Sequence, residues 1–177
     1  MNETTIVTIM TELLGYAGHA WDAATTVTAP AIQFVTVGPP AQGGVQGEQL
    51  TVYATAFRPV FPFPLTQQRA PRSNVVPAVD LAVEVWRTCY PTPNVQQAGA
   101  QLASPTALQS AALRLYADLA LMGQHLAAGT VEGGIFATWP KKGLVQDVAV
   151  GVAIPLGPSL QYAGWRFPIS VGLTGIT

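Results

Sequence analysis

The stretch VVPAVDLAVEVWRTCYPTPN, Val75 to Asn94, decides the fold. From Val79 to Arg87 its residues alternate. Val79, Leu81, Val83 and Val85 point one way, and Asp80, Ala82, Glu84 and Trp86 the other, the period of two that marks a strand half buried in a sheet. Pro91 and Pro93 end it, because neither carries the N–H that pairing requires.

Upstream, Gln49 to Arg58 alternates in the same way, with Leu50, Val52, Ala54 and Ala56 set against Thr51, Tyr53, Thr55 and Phe57. Ile32 to Val37 reads as a shorter strand. Between them GPPAQGGVQG, Gly38 to Gly47, is too rich in Gly and Pro for a regular element and reads as a connection between two antiparallel strands. Its spacing fits neither GxGxxG nor GxxxxGK, so a phosphate cradle is set aside. Near the N-terminus Ile6, Ile9, Met10, Leu13, Leu14 and Ala17 recur at three-and-four spacing, which predicts an amphipathic helix over about 4–22 that lies on the sheet, with Thr4 or Thr5 at its start.

Between the two central strands runs RPVFPFPLTQQRAPR, Arg58 to Arg72, with four prolines, three arginines and no regular period. It reads as a long extended loop, and loops of that length in compact domains are often functional or ordered by a partner. With Phe57, Phe61 and Phe63 nearby it would lay apolar side chains on a neighbouring subunit, with Arg69 and Arg72 fixing the register and Arg58 a further candidate interface residue; a polyproline-type ligand or a plain surface loop are the other readings.

Downstream, PTPNVQQAGAQLASP reads as a second loop. Ser104 ahead of Pro105 is a helix start, a capping side chain followed by a residue whose missing N–H costs nothing in the first turn. Leu108, Ala112, Leu115, Leu119, Met122 and Leu126 mark one buried face of that helix, and Gly129 its stop. Ile135 to Trp139 then reads as a strand, Lys141 to Gly143 as a turn, Leu144 to Ile154 as a longer strand with Val148, Val150, Val152 and Ile154 on one face, and Leu156 to Ser159 as another turn. Tyr162 to Leu173 closes the chain as a strand, with Trp165, Phe167, Ile169, Val171 and Leu173 opposite Arg166 and Ser170. Pro168 inside it argues for an edge strand or a bulge. The order without repeated crossovers predicts an α+β fold, a mostly antiparallel sheet with two helices packed on one face, as a single domain over 1–177 with a long Pro-rich loop at 58–73.

Composition narrows the function. Only 17 of 177 residues are Asp, Glu, Lys or Arg, while 49% are apolar; ordinary soluble domains carry about a quarter charged residues. A free monomer stays soluble through charge, so the deficit points to a surface covered by partners, or else to a bias of the host's composition. The net charge of −1 gives no steering toward nucleic acid or an anionic membrane. One cysteine excludes an internal disulfide, and Cys89 reads as a small core hydrophobe. The N-terminus lacks the basic and long apolar regions of a secretory signal, so the chain is expected in a reducing cytosol.

No catalytic, metal-binding or cofactor-binding residue is expected. His19 and His125 each fall within a predicted helix, no GxSxG elbow is present, and Glu12 and Asp22 stand at no known metal spacing from His19. Asp80, Glu84, Asp118, Glu132 and Asp147 are scattered. Asp80 and Glu84, on one strand face with Trp86, are expected in a structural or intersubunit ion pair with a cation such as Arg166 or Arg114. Arg87 joins Glu84 and Arg166 among the candidate interface residues, and Lys141 and Lys142 read as solvated turn residues.

WRTCYPTPN at Trp86 to Asn94, the Ala- and Leu-rich helix from Pro105 and the closing GWRFPISVGL together resemble a head-to-tail connector protein of long-tailed actinobacteriophages. FVTVGPPA and QLTVYATAF fit the same pattern, and the layout is most similar to the tail terminator class. The resemblance implies a virion structural protein, assembled in the host cytoplasm, that forms a homo-hexameric ring capping the tail tube. Its partners would be the major tail tube protein and the head-side connector or stopper protein, with DNA passing through the lumen unread, no membrane and no enzymatic activity. A stopper or adaptor ring, a small-ligand-binding module and an enzyme remain the alternatives.

Overall fold

The computed structural model describes residues 3–39, 47–58, 77–89, 104–140, 143, 145–159 and 162–173. Helix α1 (Glu3–Gly18) runs into a 3-10 turn at His19–Trp21, followed by β1 (Ile32–Thr36), β2 (Gln49–Arg58) and β3 (Ala78–Thr88). Then come the long helix α2 (Pro105–Thr130), a one-turn helix α3 (Ile135–Thr138), and β4 (Val145–Val150), β5 (Ile154–Ser159) and β6 (Tyr162–Leu173). The six strands form one sheet in the order β1-β2-β3-β6-β4, with β5 also on β6. The fold is α+β with a mostly antiparallel sheet, and the alternating stretch Val79 to Arg87 lies in its central strand.

Both helices cover one face. Ile9, Met10, Leu13 and Ala17 of α1 and Met122 and Leu126 of α2 join Leu50, Val52, Val79, Leu81, Val83, Val85, Phe167, Ile169, Val171 and Leu173 in one core. These are the strand phases that alternation assigned to one side, except at the end of β2, where a register shift after Ala54 sets Ala56 opposite Asp80 on the other face. The other phase of β3 is buried as well, since Asp80, Ala82, Glu84 and Trp86 are each less than a tenth exposed. A central strand covered on both faces therefore replaces the half-buried strand expected from its pattern.

Several further expectations change. β1 and β2 are parallel, not antiparallel, with Ile32 opposite Gln49 and Thr36 opposite Tyr53. A five-residue strand needs a return of only about 16 Å, which the connection after Thr36 is long enough to make. Ile135 to Trp139 is helical: Phe136 and Trp139, three apart, both turn into the core and meet edge to face at 5.2 Å, a spacing of three and not two. Gly129, near the end of α2, lets this turn dock, because a Cβ there would lie 2.8 Å from the Phe136 ring.

The third concerns Pro168. Strand β6 is interior, paired with β3 along its whole length, so Pro168 marks no edge. Its carbonyl accepts from Gly151 N at 2.8 Å, on the side away from β3. A strand residue's N–H and C=O point the same way, so the missing donor also faces that side and costs β3 nothing. The neighbour breaks instead. The expected strand from Leu144 to Ile154 splits into β4 and β5 around Gly151–Ala153, where a Cβ on Gly151 would meet the proline ring at 2.8 Å. Leu156 to Ser159, read as a turn, lies in β5 and pairs with the start of β6.

Helix α2 begins as its sequence predicts, with Ser104 Oγ accepting from Ala107 N at 3.2 Å ahead of Pro105. Its burial does not follow the predicted face throughout. Met122 and Leu126 are buried, but Leu108 and Ala112 are exposed, so the first turns overhang the sheet.

Candidate functional site

Arg87 continues the inward phase of β3 past Val85 and so enters the helix side of the sheet. Its Nε donates to Asp118 Oδ2 at 2.8 Å and its Nη2 to Asp118 Oδ1 at 2.7 Å, a bidentate pair whose two side chains are both 0% exposed. Nη2 also donates to the Thr28 carbonyl and Nη1 to Glu48 Oε2, at 2.8 and 2.9 Å. Trp21 donates its indole N–H to Asp118 Oδ1 at 2.9 Å, and the guanidinium carbon stands 5.6 Å from its ring centroid. Glu48 in turn receives both terminal nitrogens of Arg114, at 2.6 and 2.7 Å. Burial pulls the Arg87 guanidinium toward losing its proton, but the hydrogen bond and charge of Asp118, with Glu48 behind them, outweigh it and raise its pKa. The clasp thus joins the 3-10 turn, the start of β2, β3 and α2.

A second network occupies the opposite face of the sheet. Thr51 faces Glu84, and Glu84 faces Arg166, across the ladders β2, β3 and β6. Glu84 takes donors from the Tyr53 hydroxyl, the Trp86 indole at 2.8 Å and Arg166 Nε at 2.7 Å. Burial first, then the bond to Glu84 and its charge, push the Tyr53 phenol well above its ordinary value. Four residues earlier on the same face of β3, Asp80 holds Arg58 Nε and the Ser170 hydroxyl, the latter at 2.7 Å, while its carbonyl takes Thr55 Oγ1 at 3.1 Å. Gln49 Oε1 and Thr51 Oγ1 on this face are buried without a hydrogen-bond partner.

Of the candidate interface residues, Glu84 and Arg166 meet as an ion pair within the subunit, as the strand-face reading allowed. Asp80 pairs with Arg58 and not with Arg166 or Arg114. Arg87 is corrected from a surface contact to a wholly enclosed group, its side chain 0% exposed among Asp118, Glu48 and the Thr28 carbonyl. Arg58 keeps a side chain about half exposed beside Phe57, itself 64% exposed. Phe61, Phe63, Arg69 and Arg72 lie outside the described residues, as do Lys141 and Lys142.

The histidines stand in separate settings. His19 Nδ1 lies 2.6 Å from Asp22 Oδ2 on the surface. His125 stacks on Tyr16 at 4.0 Å with its Nε2 2.8 Å from the Tyr16 carbonyl, while the Tyr16 hydroxyl donates to the His125 carbonyl, so the pair ties α1 to α2. Burial raises the Tyr16 phenol and the Cys89 thiol alike. Among the described residues no group of three His, Cys, Asp or Glu side chains is placed to hold a metal ion, and no helix is long and apolar enough to cross a membrane.

Large apolar side chains stand outside these pairs. Every described arginine is engaged by a carboxylate of its own chain: Arg58 by Asp80, Arg87 by Asp118 and Glu48, Arg114 by Glu48, Arg166 by Glu84. Leu108, Leu113, Tyr116, Val131, Val152 and Ile154 are meanwhile exposed. The sequence carried a signal for Asp118 that residue-type scanning passes over: it sits three after Leu115 and four before Met122, within the apolar stripe of α2. Glu48, next to a Gly-rich connection, gave none. Set against protein-family models and against curated proteins, the chain matches none.

Proposed function

We propose that this protein is a structural subunit of a phage head-to-tail connector, a tail terminator whose copies form a sixfold ring on the tail tube and present a docking surface to the head-side connector. The observation that carries the reading is the use of charge. A chain with 17 charged residues in 177 has little surface charge to begin with, and here the described arginines are all turned to carboxylates of the same chain. Among the described residues, what meets solvent includes large apolar side chains, as on a surface that neighbours cover. The resemblance carried by WRTCYPTPN and GWRFPISVGL supplies the kind of particle.

The work of such a subunit is mechanical. Ring closure takes two unlike patches per copy and a rotation that returns to its start. Phe57 and Arg58, exposed at the end of β2, are placed to contribute to one of them. An apolar cleft beside α2 is the feature on the side of a ligand-binding module, but among the described residues no charged side chain lines it to orient a ligand.

The test is direct. Negative-stain images of the purified protein should show rings with a central hole, and light scattering should give a mass near six chains. A persistent single-chain mass at high concentration, with no retention on isolated tail tubes, would sink the reading.

A further inference from the structure

Leu108, Ala112, Tyr116, Leu119, Gly123, Ala127 and Thr130 follow one another along α2 at steps of four, four, three, four, four and three, the rise of one continuous line about 33 Å long on a helix of 3.6 residues per turn. The two halves of that line differ. In the N-terminal half Leu108 and Tyr116 stand 39% and 63% exposed, with Leu113 at 63% beside them. In the C-terminal half the line sinks into an open cleft of ≈ 380 Å³, walled by Leu119, Gly123, Ala127 and Thr130 on one side and by Val150 and Phe167 on the other. Gly123 leaves it unfilled, since a Cβ there would touch nothing within 4 Å. Neither half carries a charged side chain, so covering it strips no ion of water.

We infer that α2 is self-complementary and that two copies of this chain pair through it, antiparallel and about a twofold axis near Leu119 and Ala120. Reversing the helix sets Leu108 over Thr130, Ala112 over Ala127 and Tyr116 over Gly123 of the second copy, the large residues of each half filling the cleft of the other. Both contacts form at once, which is the defining property of a twofold interface. The occupant is another copy because the projecting side chains and the cavity that receives them lie on one helix, with matching order and no charge to be neutralised. A sixfold ring uses unlike patches, so this pairing is a separate contact and stands or falls apart from the ring.

Near the axis a residue meets its own counterpart. Ala120 is exposed, so Ala120→Cys in the full chain, treated with a mild oxidant, should give a covalent dimer on a non-reducing gel, whereas the wild-type chain with only the buried Cys89 should not. A mixture of Leu108→Cys and Thr130→Cys chains should cross-link to each other and neither to itself. Gly123→Trp, which fills the cleft from open space, should halve the particle mass measured for the wild-type chain while circular dichroism stays unchanged. Absence of the Ala120→Cys dimer overturns the proposal. So does cross-linking of the mixed pair without it, which describes a head-to-tail contact, or a Gly123→Trp chain that folds and still pairs.

Discussion

On the helix side of β3 four aliphatic residues lead to a single charge, Arg87, which is fully enclosed and bonded to Asp118, Glu48 and the Thr28 carbonyl. On the other side, two carboxylates alternate with Ala82 and Trp86, and each is shared between donors from neighbouring strands, one of them an arginine that keeps a third or more of its side chain in solvent. One strand therefore buries ions by two methods. Among hydrocarbon, a guanidinium is tolerated only when its donors are saturated by fixed acceptors. Among polar side chains of a ladder, a carboxylate collects donors that reach it from the rim, and Gln49 Oε1 and Thr51 Oγ1 can stay unpaired beside it.

The contrast breaks most sharply at Asp118. Asp118→Ala leaves Arg87 enclosed with its bidentate partner gone and the Trp21 indole without an acceptor, and should cost about 3–5 kcal/mol, the usual cost of removing one member of a buried pair. Urea unfolding followed by circular dichroism measures it. Replacing both members, Arg87→Met with Asp118→Leu, should restore most of that loss, because hydrophobic groups of similar volume replace buried pairs at little net cost. If the double variant is as unstable as the single one, the clasp does more than neutralise a charge.

On the other face Glu84→Gln should cost less, about 2 kcal/mol. The amide oxygen still accepts from a neighbour, but three donors lose a charged acceptor, and Arg166 turns its exposed third to water. A loss as large as that of Asp118→Ala would erase the distinction between the two faces.

Much of this was legible in the residues. Alternation in β3 and β6, and in β2 as far as Ala54, gave the strands and their inward phases, and the Ser104–Pro105 start gave α2. The same alternation, carried one step past Val85, already puts Arg87 on the apolar side, and the helical period puts Asp118 there too; two opposite charges on facing apolar stripes have to meet. What the sequence hides is pairing between strands. Nothing local tells that β1 runs parallel to β2, or that the residues opposite Pro168 yield and Pro168 does not, because both depend on which strand lies alongside. Ile135 to Trp139 is too short for a period of two and one of three to be told apart. The overhang of α2 is hidden for another reason: periodicity says which face is apolar, and not how far the sheet beneath it extends.

Tyr53 sharpens the comparison through pH. Its phenol is held above its ordinary value, so the folded protein keeps this proton when the unfolded chain, near pH 10, has begun to lose it. The folded state then binds more protons than the unfolded one, and stability must fall as pH rises. The contribution is complete below about pH 10 and is lost above it. Tyr53→Phe should cost about 1 kcal/mol at neutral pH, through the lost hydrogen bond to Glu84, and should flatten the alkaline decline. Tyr16, also raised, keeps its share. Unfolding curves collected from pH 8 to about pH 11 measure both effects, and an unchanged alkaline slope would mean that Tyr53 is not held by its surroundings.

The smallest effect belongs to Arg58. Its partner Asp80 is nearly enclosed, yet the arginine is about half exposed, so its attraction is screened and offset by the cost of holding a long side chain still. Asp80 also keeps the Ser170 hydroxyl when the arginine is gone. Arg58→Gln should therefore cost no more than about 1 kcal/mol, and the difference from wild type should shrink further as salt is raised, because exposed pairs are screened within about 10 Å at 0.1 M. Asp118→Ala should show no such dependence, its pair being closed to ions. Measuring both variants across the same salt series separates a charge held by structure from a charge held by proximity.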